Sequence, residues 1–251
     1  MLPLQQAYEV KQSIIEYLRA TFSFKEKAVS DAFYDFIEDP KKGIFKGPYV
    51  SLKLPFETSE GNEEMPLEIV PNFPPYKHQF EAFKRLHTKE DHKPQPTLLT
   101  TGTGSGKTES FLFPILDYCY KHRNERGIKV IILYPMNALA TDQAKRLAEA
   151  IHEDERLRGI VTAGLFIGEG KDKGKFPRHM GETHVIENRD EIVSNPPDIL
   201  LTNFKMLDYG LMRHNFHSLW SHNFDNPELL RFLVLDELHT YDGAKGTDVA
   251  N

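Results

Sequence analysis

Residues 101–108 read Thr-Gly-Thr-Gly-Ser-Gly-Lys-Thr, and no other stretch restricts the fold as sharply. Glycine at every second position suits a backbone that bends tightly and approaches another group closely, because no Cβ atoms stand in the way. A polyphosphate needs many N–H donors at short range, and such a turn supplies them. Thr103, Gly104, Ser105 and Gly106 would wrap the phosphates. Lys107 would reach the β/γ-phosphates, and the Thr108 hydroxyl would sit on Mg²⁺. The strict pattern G-x-x-x-x-G-K-[ST] has glycine where this chain has Thr101.

The flanking residues support this reading. Residues 97–100 (Thr-Leu-Leu-Thr) predict a short buried strand, and residues 109–118 predict a helix with a kink at Pro114. Strand, glycine turn and helix N-terminus together form an anion site. The alternative is a turn that only reverses the chain.

Further candidate strands are residues 129–134, 161–167, 198–202 and 231–236, separated by helical patterns at 79–86, 138–152 and 205–214. Apolar, β-branched strands alternating with helices predict a mostly parallel sheet flanked by helices, an α/β fold. In such sheets ligands bind beyond the carboxyl ends of the strands. Residues 1–70 form a helical N-terminal accessory element, with apolar stripes at Ala7, Val10, Ile14 and Leu18 and at Val29, Ala32, Phe33, Phe36 and Ile37. Both stripes predict core faces, and a strand is expected near 49–54. Residues 71–251 form the α/β domain. The stretch 168–195 lacks periodicity and carries Lys171, Lys173, Lys175 and Arg178. It reads as a solvated surface loop ahead of a phosphate-contacting one.

The second chemical signal is Leu-Val-Leu-Asp-Glu-Leu-His at 233–239. Two carboxylates at the end of an apolar strand suit a metal-assisted reaction. Asp236 would hold Mg²⁺ through water. Glu237, turned to the other side by strand alternation, would orient or deprotonate an attacking water. Gln79, shortly before the glycine turn, could pair with the edge of adenine or be a helix-surface glutamine.

Cys119 is the only cysteine, so no internal disulfide forms, as suits a reducing cytoplasm. No apolar run is long enough to span a bilayer. The net charge of −6 does not advertise a nucleic-acid binder but leaves room for a local patch of donors. His214, His217 and His222 lie near Trp220 without a cysteine, and a zinc site is not expected there.

Taken in order, these motifs resemble the superfamily 2 helicases of the DEAD/DEAH-box type. Residues 76–79 resemble the adenine-recognising Q motif and 101–108 motif I. Residues 134–140 are similar to motif Ia, Thr202-Asn203 to motif Ib, and 236–239 to motif II in a DExH form. The wording is most similar to the large bacterial helicases of DNA-repair and phage-defence loci, and residues 241–250 support that branch. The resemblance implies a RecA-like domain and an ATP-dependent helicase or translocase with ATP and Mg²⁺ as cofactors. Lys107, Asp236 and Glu237 would then carry catalysis. The implied partner is nucleic acid, DNA before RNA, held by Pro135, Asn137, Thr202 and Asn203, with defence or repair subunits as further partners. Asn203 also reads as a plain N-cap, and His239 either couples the nucleotide site to a neighbouring domain or is a polar residue at a strand end.

The resemblance also implies parts beyond residue 251: a strand inserted between the phosphate-loop strand and the motif II strand, and a second RecA-like domain with arginine fingers. On that expectation the RecA-like domain is incomplete, truncated after motif II, and hydrolyses ATP poorly alone. The alternatives are a nucleotide-gated nucleic-acid scaffold that does not unwind and a P-loop ATPase of another kind.

Overall fold

The computed structural model describes residues 3–47, 55–59, 64–102, 104–168, 176–243 and 246–247. The strand expected at 49–54, Thr103, Lys171, Lys173, Lys175 and most of the chain after 243 lie outside the described residues. The chain divides into two compact units, Met1–Pro55 and Phe56–Asn251.

The first unit holds α1 (Pro3–Thr21) and α2 (Lys27–Glu38). Phe24 packs edge-on against Phe33 with ring centroids 5.1 Å apart, and Arg19 lies 3.7 Å from Glu38. Ile15 and Ile37 are buried, whereas Val10, Ile14, Val29 and Phe36 of the expected core stripes are exposed. Both stripes therefore stay largely uncovered within this unit.

In the second unit the order is α3 (Lys77–Leu86), α4 (Lys107–Lys121), β1 (Val130–Leu133), α5 (Asn137–Glu153), β2 (Ala163–Phe166), α6 (Arg189–Ser194), β3 (Ile199–Thr202), α7 (Phe204–Met212), α8 (His217–Asp225) and β4 (Phe232–Leu235). The four strands form one sheet in the order β2-β3-β1-β4. All three pairings are parallel, with Val130 opposite both Ile199 and Phe232. β1, β2 and β3 are buried on both faces, so they read as unbroken apolar runs.

Strand alternation divides the core. Val130 and Ile132 pack with α4 and α5 through Ile115, Leu116, Ala144 and Leu147. Ile131 and Leu133 face the other way, toward Ile192, Leu219 and Trp220. The buried residues of α5, Ala140, Ala144, Leu147, Ala148 and Ile151, recur at helical spacing and define its inward face. Burying Leu147 or Ile151 contributes about 1.5–3 kcal/mol each. The indole N–H of Trp220 donates to the Gly210 carbonyl at 2.9 Å.

At the amino ends of the strands Lys129 is 1% exposed. Its ammonium pairs with Asp198 and donates to the Glu125 carbonyl. The second oxygen of Asp198 accepts from the Thr162 N–H and hydroxyl, so one buried ion pair ties the starts of β1, β2 and β3 together. Asp117, wholly buried in α4, accepts from the N–H groups of Glu68 and Ile69 at 2.7 and 3.0 Å. That tether and the Thr58–Tyr76 bridge hold Thr58, Glu68 and Ile69, which already belong to the second unit, against the rest of it.

One expectation about the sheet fails. Residues 97–100 form no strand of the sheet, and Leu98 is 69% exposed. A strand is defined by its neighbour, and between residues 94–100 and β4 lies a cavity of about 790 Å³. Pro114 lies within α4, where the sequence predicts a helix. Among the described residues no helix is long and apolar enough to cross a membrane.

Candidate nucleotide site and strand-end asparagines

The glycine turn is held from outside by side chains. Gly104 and Gly106 both take positive φ, +77° and +71°, a region that costs a residue with a Cβ. The Ser105 carbonyl contacts His78 Nε2 at 2.9 Å. The Gly106 carbonyl accepts from the Gln79 amide at 3.0 Å and from the Ser110 hydroxyl at 3.2 Å. Thr101 and Ser105 share a hydroxyl hydrogen bond of 2.6 Å across the turn. Thr101, the departure from the glycine pattern, is therefore a brace within the loop.

Gln79 is 1% exposed, so it is not a helix-surface glutamine. Its Oε1 accepts from the Tyr76 N–H at 2.8 Å, one half of a capping box at the start of α3. Each end of the amide thus has one partner, leaving one N–H and one acceptor position in its inventory.

Lys107 opens α4, with Gly106 as N-cap. Lys107, Asp236 and Glu237 line the 790 Å³ cavity together with residues 94–100 and β4. Thr108 follows on the first turn, where N–H groups have no intrahelical partner. Glu109 on that turn pairs with Arg146 of α5 at 3.2 Å.

Asp236 continues from β4, its N–H donating to the Leu133 carbonyl at 3.0 Å. Burial pushes its carboxyl above the ordinary range; the Glu237 charge adds to this, while the Glu237 N–H and the Lys107 charge oppose it. Burial, followed by the Asp236 charge, raises the Tyr134 phenol and moves that of Tyr241 to about 12. A half-buried carboxylate with a lysine and a cavity beside it suits a hard cation. Glu237 departs from the strand-alternation reading. β4 ends at Leu235, and Glu237 takes a left-handed conformation, φ +49° and ψ +46°. The turn, not the strand, aims its side chain, which lies 3.3 Å from His239 Nδ1.

At the neighbouring strand ends, the side-chain amide of Asn203 donates to the side-chain oxygen of Asn137 at 2.7 Å. Asn203 also caps α7, accepting from the Met206 N–H at 2.9 Å. Pro135 lies between β1 and α5, one residue before exposed Met136. The Thr202 side chain is fully buried, and its hydroxyl donates to the Phe166 carbonyl. The period-2 pattern of β3 turns that side chain into the sheet.

The ordered motifs, the parallel sheet and the cradle beside a carboxylate pair converge with sequence similarity. The sequence profile of the DEAD/DEAH box helicase family matches residues 76–251. The chain belongs to the DEAD/DEAH box helicase family.

Helicases of this family resemble the chain over much of its length. It is 30% identical over 226 residues to the uncharacterized ATP-dependent helicase MJ1574 of Methanocaldococcus jannaschii, covering 85% of this chain and 28% of that protein. Identity is 31% over 176 residues to the uncharacterized ATP-dependent helicase YprA of Bacillus subtilis, 70% of this chain and 19% of that one. Druantia protein DruE of Escherichia coli matches at 24% over 96% of this chain and 19% of its own length. The crystal structure of the DUF1998 helicase MrfA bound to DNA and AMPPNP superposes with a TM-score of 0.50 at 26% identity, over 70% of this chain and 20% of that one. The chain thus spans between 19% and 28% of the length of these curated relatives.

Sequence reading missed the braces His78 and Ser110. A histidine beside a glutamine carries no period or spacing that marks it, and Ser110 reads as an ordinary first-turn residue.

Proposed function

We propose that this chain is the nucleotide-binding part of an ATP-dependent motor that acts on nucleic acid, DNA before RNA. The observation that carries the reading is the shared lining of one cavity by Lys107, Asp236 and Glu237, with Asn137 and Asn203 joined at strand ends of the same sheet. The braced glycine loop fits a triphosphate, and the half-buried Asp236 fits Mg²⁺ held through water. Mg²⁺, when bound, offsets charge on the phosphates. Lys107 places a cation at the loop, Thr108 offers a hydroxyl beside it, and Glu237 orients or deprotonates water. Gln79 offers its remaining donor and acceptor to adenine. Asn137 and Asn203, with the backbone after Pro135 and at Thr202, hold phosphates of one strand. The related helicase MrfA was crystallised bound to DNA, which supports the choice of DNA.

The domain architecture is part of the proposal. The part of the cavity between residues 97–100 and β4 takes one further strand, which leaves the end at Lys107, Asp236 and Glu237 to the nucleotide, and the cation that stabilises the transition state comes from a second RecA-like domain. The expected cellular setting is the cytoplasm, with repair or defence subunits as partners. The test is ATP turnover, with and without single-stranded DNA, by the 251-residue chain and by the longer protein that carries it. The chain alone should turn over little, and the longer protein should be stimulated by DNA and unwind a duplex, with both activities lost in Lys107→Ala. Stimulated turnover without strand displacement would instead support the nucleotide-gated scaffold. Robust DNA-stimulated turnover by the chain alone would refute the need for the second domain.

A further inference from the structure

We propose that His78 is a positioning residue of the phosphate loop, setting the direction of the Gly106 N–H; this rests on the nucleotide-binding reading above. The Ser105 carbonyl can only accept, so the His78 Nε2 that lies 2.9 Å from it carries the hydrogen and donates. In a planar trans peptide the C=O and the following N–H point in opposite directions. Holding the Ser105 carbonyl toward His78 therefore turns the Gly106 N–H away from His78, to the inner side of the loop. Gln79 treats the next peptide alike: with the Gly106 carbonyl held at 3.0 Å, the Lys107 N–H is turned away as well. Without such anchors, a peptide between two residues of which one is a glycine at φ +71° rotates readily, because glycine has no Cβ to oppose it.

The histidine is itself held in place. Its ring stacks on Tyr76 at 5.7 Å with an interplanar angle of 19° and meets Phe56 edge-on at 5.8 Å. These contacts fix the plane of the imidazole and hence the direction of Nε2–H. Ser105, the accepting residue, is 1% exposed, so water does not readily substitute for the donor. The arrangement is preorganisation: donors meant for an anion are aimed before it arrives.

Two substitutions separate the hydrogen bond from the packing. His78→Phe keeps an aromatic ring against Tyr76 and Phe56 but has no donor. His78→Gln places an amide N–H where Nε2 stands and gives up the ring contacts. Affinity for Mg-ATP and for adenosine is measured by titration calorimetry on wild type and both variants, with thermal melting to verify that each is folded. The expected result is about a 5- to 10-fold loss of Mg-ATP affinity in His78→Phe, the size of one lost hydrogen bond. His78→Gln should return to within about 3-fold of wild type, and adenosine affinity should be unchanged in both. Equal Mg-ATP affinity in wild type and His78→Phe overturns the proposal, as does equal weakening in both variants, which would assign the effect to ring packing. Failure of wild type itself to bind Mg-ATP overturns the nucleotide reading beneath it.

Discussion

The side-chain amide of Asn203 donates to the side-chain oxygen of Asn137 at 2.7 Å, linking the carboxyl ends of adjacent parallel strands β1 and β3. The two residues lie sixty-six positions apart and meet because the sheet order places β3 beside β1. Asn203 does two things at once, since its oxygen caps α7 while its nitrogen reaches Asn137. The contact makes a paired polar surface from two motifs that are separate in sequence.

Asn203→Asp separates those tasks. The aspartate retains an acceptor for the Met206 N–H but loses the donor to Asn137 and adds negative charge beside the proposed phosphate path. Stability should stay within about 0.5 kcal/mol, while affinity for single-stranded DNA falls by about 10-fold, roughly 1.4 kcal/mol. Asn203→Ala should lose the cap as well, at a cost of about 1 kcal/mol. Urea melts and fluorescence anisotropy check both, and unchanged DNA affinity in Asn203→Asp would argue against a strand-binding role.

Lys129→Met should be among the most damaging substitutions distant from the nucleotide site. It leaves Asp198 charged, nearly buried and without its cation, at a cost of about 3–5 kcal/mol. Replacing both residues by apolar ones should cost less than the sum of the single changes, because the remaining partner is no longer stranded. Urea denaturation followed by the fluorescence of Trp220, the only tryptophan, reports the result. Strictly additive losses would show that the two charges do not act as a pair.

Asp236 makes a prediction about pH. Its carboxyl is raised, chiefly by burial, so the folded state favours the protonated form. The contribution is fully present below the ordinary carboxylate range and is lost as pH rises through the raised value. Asp236→Asn removes the charge while keeping an oxygen for the Glu237 N–H. Without ligand, this variant should melt higher than wild type at pH 7. The gap should close toward pH 3, even though the variant loses its Mg²⁺ site. A constant gap from pH 3 to pH 7 would mean that ionisation of Asp236 is not its source.

The sequence was informative where chemistry is local. The glycine turn, the carboxylate pair and the strands now seen at β1 to β4 are marked by composition and alternation. Residues 97–100 show the limit of that signal, since their apolar pattern is sound but pairing depends on a neighbour the local sequence cannot supply. Glu237 shows another, because its left-handed turn breaks the alternation that its position after β4 implies. The contact between Asn137 and Asn203 required the sheet order, and the braces on the phosphate loop required α3 to dock beside it. α6 carried a readable start, Asn188 with Asp190 and Glu191 in the first turn, but was hidden within a stretch otherwise free of periodicity.

The most direct measurement is titration calorimetry of Mg-ATP into wild type and Lys107→Ala. Wild type should show saturable one-site binding, and the variant at least about a 10-fold loss, the size of a charge-assisted contact. Absence of binding by the folded wild-type chain, or equal affinity in Lys107→Ala, would contradict a triphosphate cradle at residues 101–108.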